Sequence, residues 1–305
     1  MGYSSWSSAT YSSLKTDYST KKVDDIFVNN KTRKVDPLMD PKKLKIRECR
    51  DSVAHPLSIA ANIYLDVTGS MHSIPEKLIR YKLGTLIEIM LKHGISDPSV
   101  LFGAIGDHEC DNVPLQIGQF ESGTTELDKW LTSIFLEGGG GGNAGESYLL
   151  AWFTAARYSS LDCFEKRGKK GYLFTIGDEA TLRSISSSTI QEIFGVNEAS
   201  QVSVENILKE AQQMYHVFHI HCVEGSNGKV QNVIDSWKDL LGQNLILLDD
   251  SDNIAETIAA TIAVMEGIDK DAVLSSLGAS STSVSKALIS VNNQSGVTSS
   301  PIIEF

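Results

Sequence analysis

Asp66, Thr68 and Ser70 occupy alternate positions directly after the apolar run Ala61-Asn62-Ile63-Tyr64-Leu65. A strand ending there, on a turn that contains Gly69, presents one carboxylate and two hydroxyls together. Hard divalent cations take such oxygen donors. Two neutral hydroxyls beside one carboxylate leave the ion electron-poor, so it seeks another anionic oxygen, which a second protein can supply. A carboxylate after a strand can instead cap the next helix.

Three other groups could do chemistry. Asp107-His108-Glu109-Cys110-Asp111 could be an acid–base set or a solvated loop beside the first site. His219 and His221 share one strand face and could hold a transition metal, although a strand buried on both sides favours satisfied core histidines. Glycines 138–142 suggest a phosphate loop, but no Gly-Lys-Ser/Thr follows. A tight turn with close backbone approach fits them better.

The elements that position these groups alternate in type. Strands are expected over 60–66, 100–105, 171–176, 216–223 and 244–248, with 114–120 as an antiparallel edge. Ser73 to Glu76 reads as a capping box. Ile79, Leu83, Leu86, Ile87 and Met90 then recur at helical spacing until His93-Gly94. Further helices are expected over 124–136, 146–158, 202–213, 230–241 and 253–265. Such alternation implies an α/β fold with a doubly wound, mostly parallel sheet, which binds ligands at the carboxyl ends of its strands. Asp66, Asp107 and Asp178 all stand at such ends.

Asp66-Val67-Thr68-Gly69-Ser70 resembles the metal-ion-dependent adhesion site of von Willebrand factor A domains, Asp-x-Ser/Thr-x-Ser. Gly138 to Gly142 with Asn143-Ala144-Gly145-Glu146 resembles the Gly-Gly-Gly-Asp-x-Pro-Glu loop of one branch of that family. In that alignment Glu146 matches the acidic ligand, while Asn143 replaces Asp and Gly145 replaces Pro. Tyr172 to Glu179 is an apolar strand ending in an acidic pair, and Asp178 matches the family's later Asp. Gly106 to Asp111 resembles an Arg-Asp-His segment of the same branch. The resemblance covers roughly residues 57–266, a typical domain size. It implies a Rossmann-like domain holding Mg²⁺, with Mn²⁺ the alternative, through Asp66, Thr68, Ser70, Glu146 and Asp178. Each residue keeps a structural alternative: Glu146 as a helix-start carboxylate, Asp178 as a cap, Asn143 as a left-handed turn residue.

Composition narrows the function class. The 305 residues carry 27 Lys and Arg against 38 Asp and Glu, net −11, which argues against a nucleic-acid binder. Residues 1–50 nonetheless hold 11 basic and 6 acidic side chains. Residues 1–56 therefore read as a basic, Ser- and aromatic-rich arm with Tyr3, Trp6, Tyr11 and Tyr18, and 267–305 as a Ser-rich tail ending in Pro301-Ile302-Ile303-Glu304-Phe305. Disorder is the expectation for both ends, with docking on a partner as the alternative. Four scattered cysteines make no Cys-x-x-Cys pair. No secretory leader or membrane-spanning run is visible, so a cytoplasmic protein is expected.

Two function classes follow. In one, the chain is an intracellular interaction module whose Mg²⁺ is completed by a partner's Asp or Glu. The resemblance implies multi-protein assemblies for this class, some beside AAA+ ATPases. In the other, a metal-dependent hydrolase uses Asp107, His108 and Glu109. A structural oligomer subunit with a vestigial metal site is a third reading.

Overall fold

The computed structural model describes residues 4–69, 71, 73–139 and 145–291. Ser70, Asn143, Ala144, the glycines 140–142 and the terminal segment 301–305, on which several expectations fall, lie outside the described residues.

Six strands build the central sheet: β1 (Ile59–Asp66), β2 (Pro98–Ile105), β3 (Leu115–Ile117), β4 (Gly171–Gly177), β5 (Tyr215–Cys222) and β6 (Leu245–Leu248). Their spatial order is β6-β5-β4-β1-β2-β3. All neighbours run parallel except β3, which pairs antiparallel with β2 through Gly103 and Ile117. β1 is central because it can be buried on both faces. Ala61, Ile63 and Leu65 enter one hydrophobic cluster, and Ala60 and Tyr64 the other.

Helices cover both faces. Leu83–Lys92 and Ile254–Met265 pack on the first cluster. Tyr148–Arg157, Val204–Met214 and Gln231–Leu241 pack on the second. The doubly wound, mostly parallel sheet expected from the sequence is therefore the observed architecture, with its one antiparallel edge. A further helix, Ser187–Phe194, was not anticipated.

Three expectations are corrected. Ser73 is the first helical residue rather than its cap, and the Glu76 carboxylate accepts from Arg80 Nε at 2.7 Å. The helix also widens into a π turn over Leu78–Lys82 before Leu83. Second, the N-terminal segment is folded. Helix Ser8–Tyr18 lays Tyr11 and Tyr18 on the domain, and Ile26, Phe27 and Met39 are buried after it. Its aromatics anchor on this chain: Tyr11 fills the space above Gly84, where a Cβ would stand 2.4 Å from the ring. The buried Arg80 guanidinium donates to the main-chain oxygens of Tyr18 and Lys21. Third, residues 270–287 form two short helices, Lys270–Ser275 and Ser281–Ala287, whose Val273 and Val284 are fully buried.

Candidate metal centre

β1 and β4 are neighbours, with Leu65 opposite Ile176, so Asp66 and the segment after Gly177 emerge side by side. Asp66 is 1% exposed. Its Oδ1 accepts from the Thr68 main-chain N–H at 2.9 Å and from Thr68 Oγ1 at 2.6 Å. Its Oδ2 accepts from the Tyr148 hydroxyl at 2.7 Å. Gly177 is required by this packing: a Cβ there would lie 1.8 Å from the Tyr148 hydroxyl and 2.8 Å from Asp66 Oδ2.

Two further carboxylates close in. Asp178, wholly buried, accepts from the Asn227 main-chain N–H at 3.0 Å. Glu146 is 4% exposed, and its main chain bridges to the loop after β4 through Ala180 O (2.9 Å) and Leu182 N–H (3.1 Å). This bridge carries Glu146 from the glycine-rich segment to the strand ends. Among the described residues its Oε2 has no hydrogen-bond partner. The glycine segment also closes on the Asp66 turn, with Gly69 N–H donating to Gly139 O at 2.6 Å and Gly138 N–H to Val67 O at 3.2 Å.

The electrostatics are those of crowded anions. Burial raises the Asp66 carboxyl to about 7, against its hydrogen bonds from Thr68 and Tyr148 and with the charge of Asp178 adding to the rise. Burial likewise raises Glu146 to about 10, reinforced by Asp66, Asp111, Asp107 and Glu179. No Lys or Arg is among the leading causes of either shift.

Of the residues singled out in the sequence, Asp66, Thr68, Glu146 and Asp178 are thus gathered at one pole. Ser70 lies outside the described residues. Among those described, no three His, Cys, Asp or Glu side chains form a metal-holding group, and the trio Asp66, Glu146 and Asp178 does not make one. Tyr148 was not singled out, because its hydroxyl opens an otherwise apolar helical run. Asn227 and Trp237 were also missed. Asn227 Nδ2 donates to Glu179 Oε1 at 2.8 Å, and Trp237 Nε1 to Glu179 O at 2.8 Å.

The rival groups are engaged locally. Asp107 Oδ1 accepts from Glu109 N–H at 2.9 Å, an Asx turn. His108 Nδ1 and main-chain N–H both meet Ser147 Oγ, at 2.8 and 3.0 Å. His219 is buried, stacked on Trp237 at 3.6 Å between ring centroids, and paired with Thr175 Oγ1 at 3.0 Å. His221 Nε2 meets Gly228 O at 3.0 Å. Burial lowers both histidines, keeping them neutral.

No protein-family model matches this chain, and no curated protein matches it. Ninety-six chains of solved structures do. One is the pilus adhesin SpaC from Lactobacillus rhamnosus GG, at TM-score 0.42 and 9% identity, over 70% of this chain and 31% of the adhesin. Another is an aerotolerance-related membrane protein from Bacteroides fragilis, at TM-score 0.36 and 14% identity, over 66% of this chain and 96% of that one. A third is a von Willebrand factor type A protein from Catenulispora acidiphila, at TM-score 0.40 and 14% identity, over 68% of this chain and 42% of that one. Among the described residues no helix is long and apolar enough to cross a membrane.

Proposed function

We infer that this chain is a metal-dependent protein-interaction module of the von Willebrand factor A kind. Asp66, Thr68 and Ser70 hold Mg²⁺, or Mn²⁺ in its place, with Glu146 and Asp178 acting directly or through water. A carboxylate from a partner protein completes the shell. The observation that carries this reading is the pair of buried carboxyl groups, Asp66 and Glu146, with Glu146 Oε2 unpartnered among the described residues. A bound cation would compensate both carboxyl groups, which without it are driven to keep their protons by burial and by one another.

The metal supplies a fixed positive charge and an exchangeable coordination position. The chain's own groups do the rest. Tyr148 and the Thr68 main chain orient the Asp66 carboxylate, and the Glu146 bridge to Ala180 and Leu182 holds the second acid in reach. The same reading sets the module in the cytoplasm, within a multi-protein assembly, either one that contains an AAA+ ATPase or another oligomeric one. Its four free cysteines accord with a reducing compartment.

Calorimetric titration with Mg²⁺ and Mn²⁺, followed by capture of partners from native lysate in Mg²⁺ and in EDTA, tests the reading. Saturable binding that Asp66→Ala abolishes, with partners lost in EDTA, is expected. Partners retained in both lanes and by Asp66→Ala would leave the structural-subunit alternative.

A further inference from the structure

His219 and His221 stand two residues apart on β5, so they share a face of the sheet. It is the face that meets Tyr148 and Trp237, and both histidines are fully buried there. Each ring has one nitrogen engaged. His221 Nε2 lies 3.0 Å from Gly228 O, and a carbonyl only accepts, so Nε2 carries the proton. His219 Nδ1 lies 3.0 Å from Thr175 Oγ1, a hydroxyl that itself donates to Phe218 O. The Thr175 main-chain oxygen also accepts from this ring, so the proton of His219 is on Nδ1. The opposite nitrogens, His219 Nε2 and His221 Nδ1, are therefore bare lone pairs. Neither has a hydrogen-bond partner among the described residues.

Histidine ligates metals in this form: neutral, with one nitrogen donating to an oxygen that fixes the tautomer and the other lone pair free. The ring centres lie 5.9 Å apart. A cation gripped by two imidazoles sets their centres about 6 Å apart, from two metal–nitrogen bonds of about 2 Å and two ring radii of about 1 Å. Zinc and the hard divalent cations need more donors than two. No third His, Cys, Asp or Glu joins the pair among the described residues. We infer that His219 and His221 form a two-coordinate site for a soft monovalent cation, Cu⁺ being the biological one. His221 stands one residue before the end of β5, under a loop in which Glu224 and Ser226 are exposed, so the pair is one loop away from solvent. The site shares no ligand with the proposed Mg²⁺ centre, and either can fail without the other.

Anaerobic titration of the full chain with Cu⁺, in competition with bicinchoninate and in the presence of Mg²⁺, tests the assignment. A Cys110→Ser background removes the one exposed thiol. One equivalent should be taken up, with quenching of Trp237, whose ring is stacked on His219 at 3.6 Å. His221→Gln should weaken uptake by about a hundredfold, and Thr175→Val, which frees the His219 tautomer, by about tenfold. Nitrogen-15 spectra of the histidines in metal-free protein check the premise without a variant: the proton should be on Nδ1 of His219 and on Nε2 of His221, and Cu⁺ should shift the opposite nitrogens. No uptake against bicinchoninate, uptake unchanged in both variants, or either histidine in the other tautomer overturns the inference. Unshifted ring nitrogens on addition of Cu⁺ overturn it as well, and assign those lone pairs to a buried water.

Discussion

At the scale of single residues, the pole is governed by carboxyl groups that hold protons more tightly when folded. Asp66 rises from 3.8 to about 7 and Glu146 from 4.5 to about 10. The folded chain therefore binds protons that the unfolded chain releases. Their contribution to stability is complete below the unfolded values and is lost as pH rises through the folded ones. Metal-free protein should melt at lower temperature at about pH 8 than at about pH 5, and Mg²⁺ should restore more at the higher pH, where Asp66 is already ionised and only Glu146 has still to release its proton. Differential scanning calorimetry across that range checks both signs. Gly177→Ala makes a second expectation. Its Cβ meets the Tyr148 hydroxyl, so overpacking should cost about 1–3 kcal/mol in urea titration and loosen Mg²⁺ through displaced Asp66. Asp66, Thr68 and Asp178 were legible because a strand end announces its own donors. Tyr148 and Gly177 were not, since their roles arise from packing between segments distant in the chain.

At the scale of elements, periodicity located the sheet strands and most helices. The helix Ser187–Phe194 escaped notice although its signals are present. Ser186 accepts from Thr189 N–H at the start, Gly195 stops it in the left-handed region at φ 71°, and Ile190, Ile193 and Phe194 are buried between. The N-terminal segment escaped for another reason. Its Ser-rich composition resembles a disordered arm, and its anchors depend on receptors far along the chain: Gly84 for Tyr11, and Arg80 for the carbonyls of Tyr18 and Lys21. Gly84→Val should expel the Tyr11 ring and free helix Ser8–Tyr18. Limited proteolysis should then cut ahead of residue 56 at rates well above wild type, while Mg²⁺ binding persists, since no metal-centre residue is touched.

At the scale of the whole molecule, the sheet order brings Asp66, Asp107 and Asp178 to the same set of strand ends, a convergence the sequence already implied. Glu146 arrives by a main-chain bridge that no periodicity encodes. On the proposed reading a cation binds the folded form alone, so melting temperature should climb with Mg²⁺ concentration. Saturation at a hundred times Kd corresponds to about 2.7 kcal/mol. Asp66→Ala should flatten that dependence, as read by a thermal shift series.

The Tyr148 hydroxyl that touches Asp66 belongs to a ring lying 5.5 Å from Trp237, edge-on at 68°, and Trp237 in turn lies 6.0 Å from Trp152 at 74°. Aromatic rings fixed this closely in an asymmetric setting absorb left- and right-handed light unequally, a property that survives only while packing is unique. The chain therefore carries its own optical gauge of the pole: ellipticity in the near ultraviolet should report capture of a cation beside Asp66 without any added label, while the far-ultraviolet spectrum of the helices and strands stays unchanged.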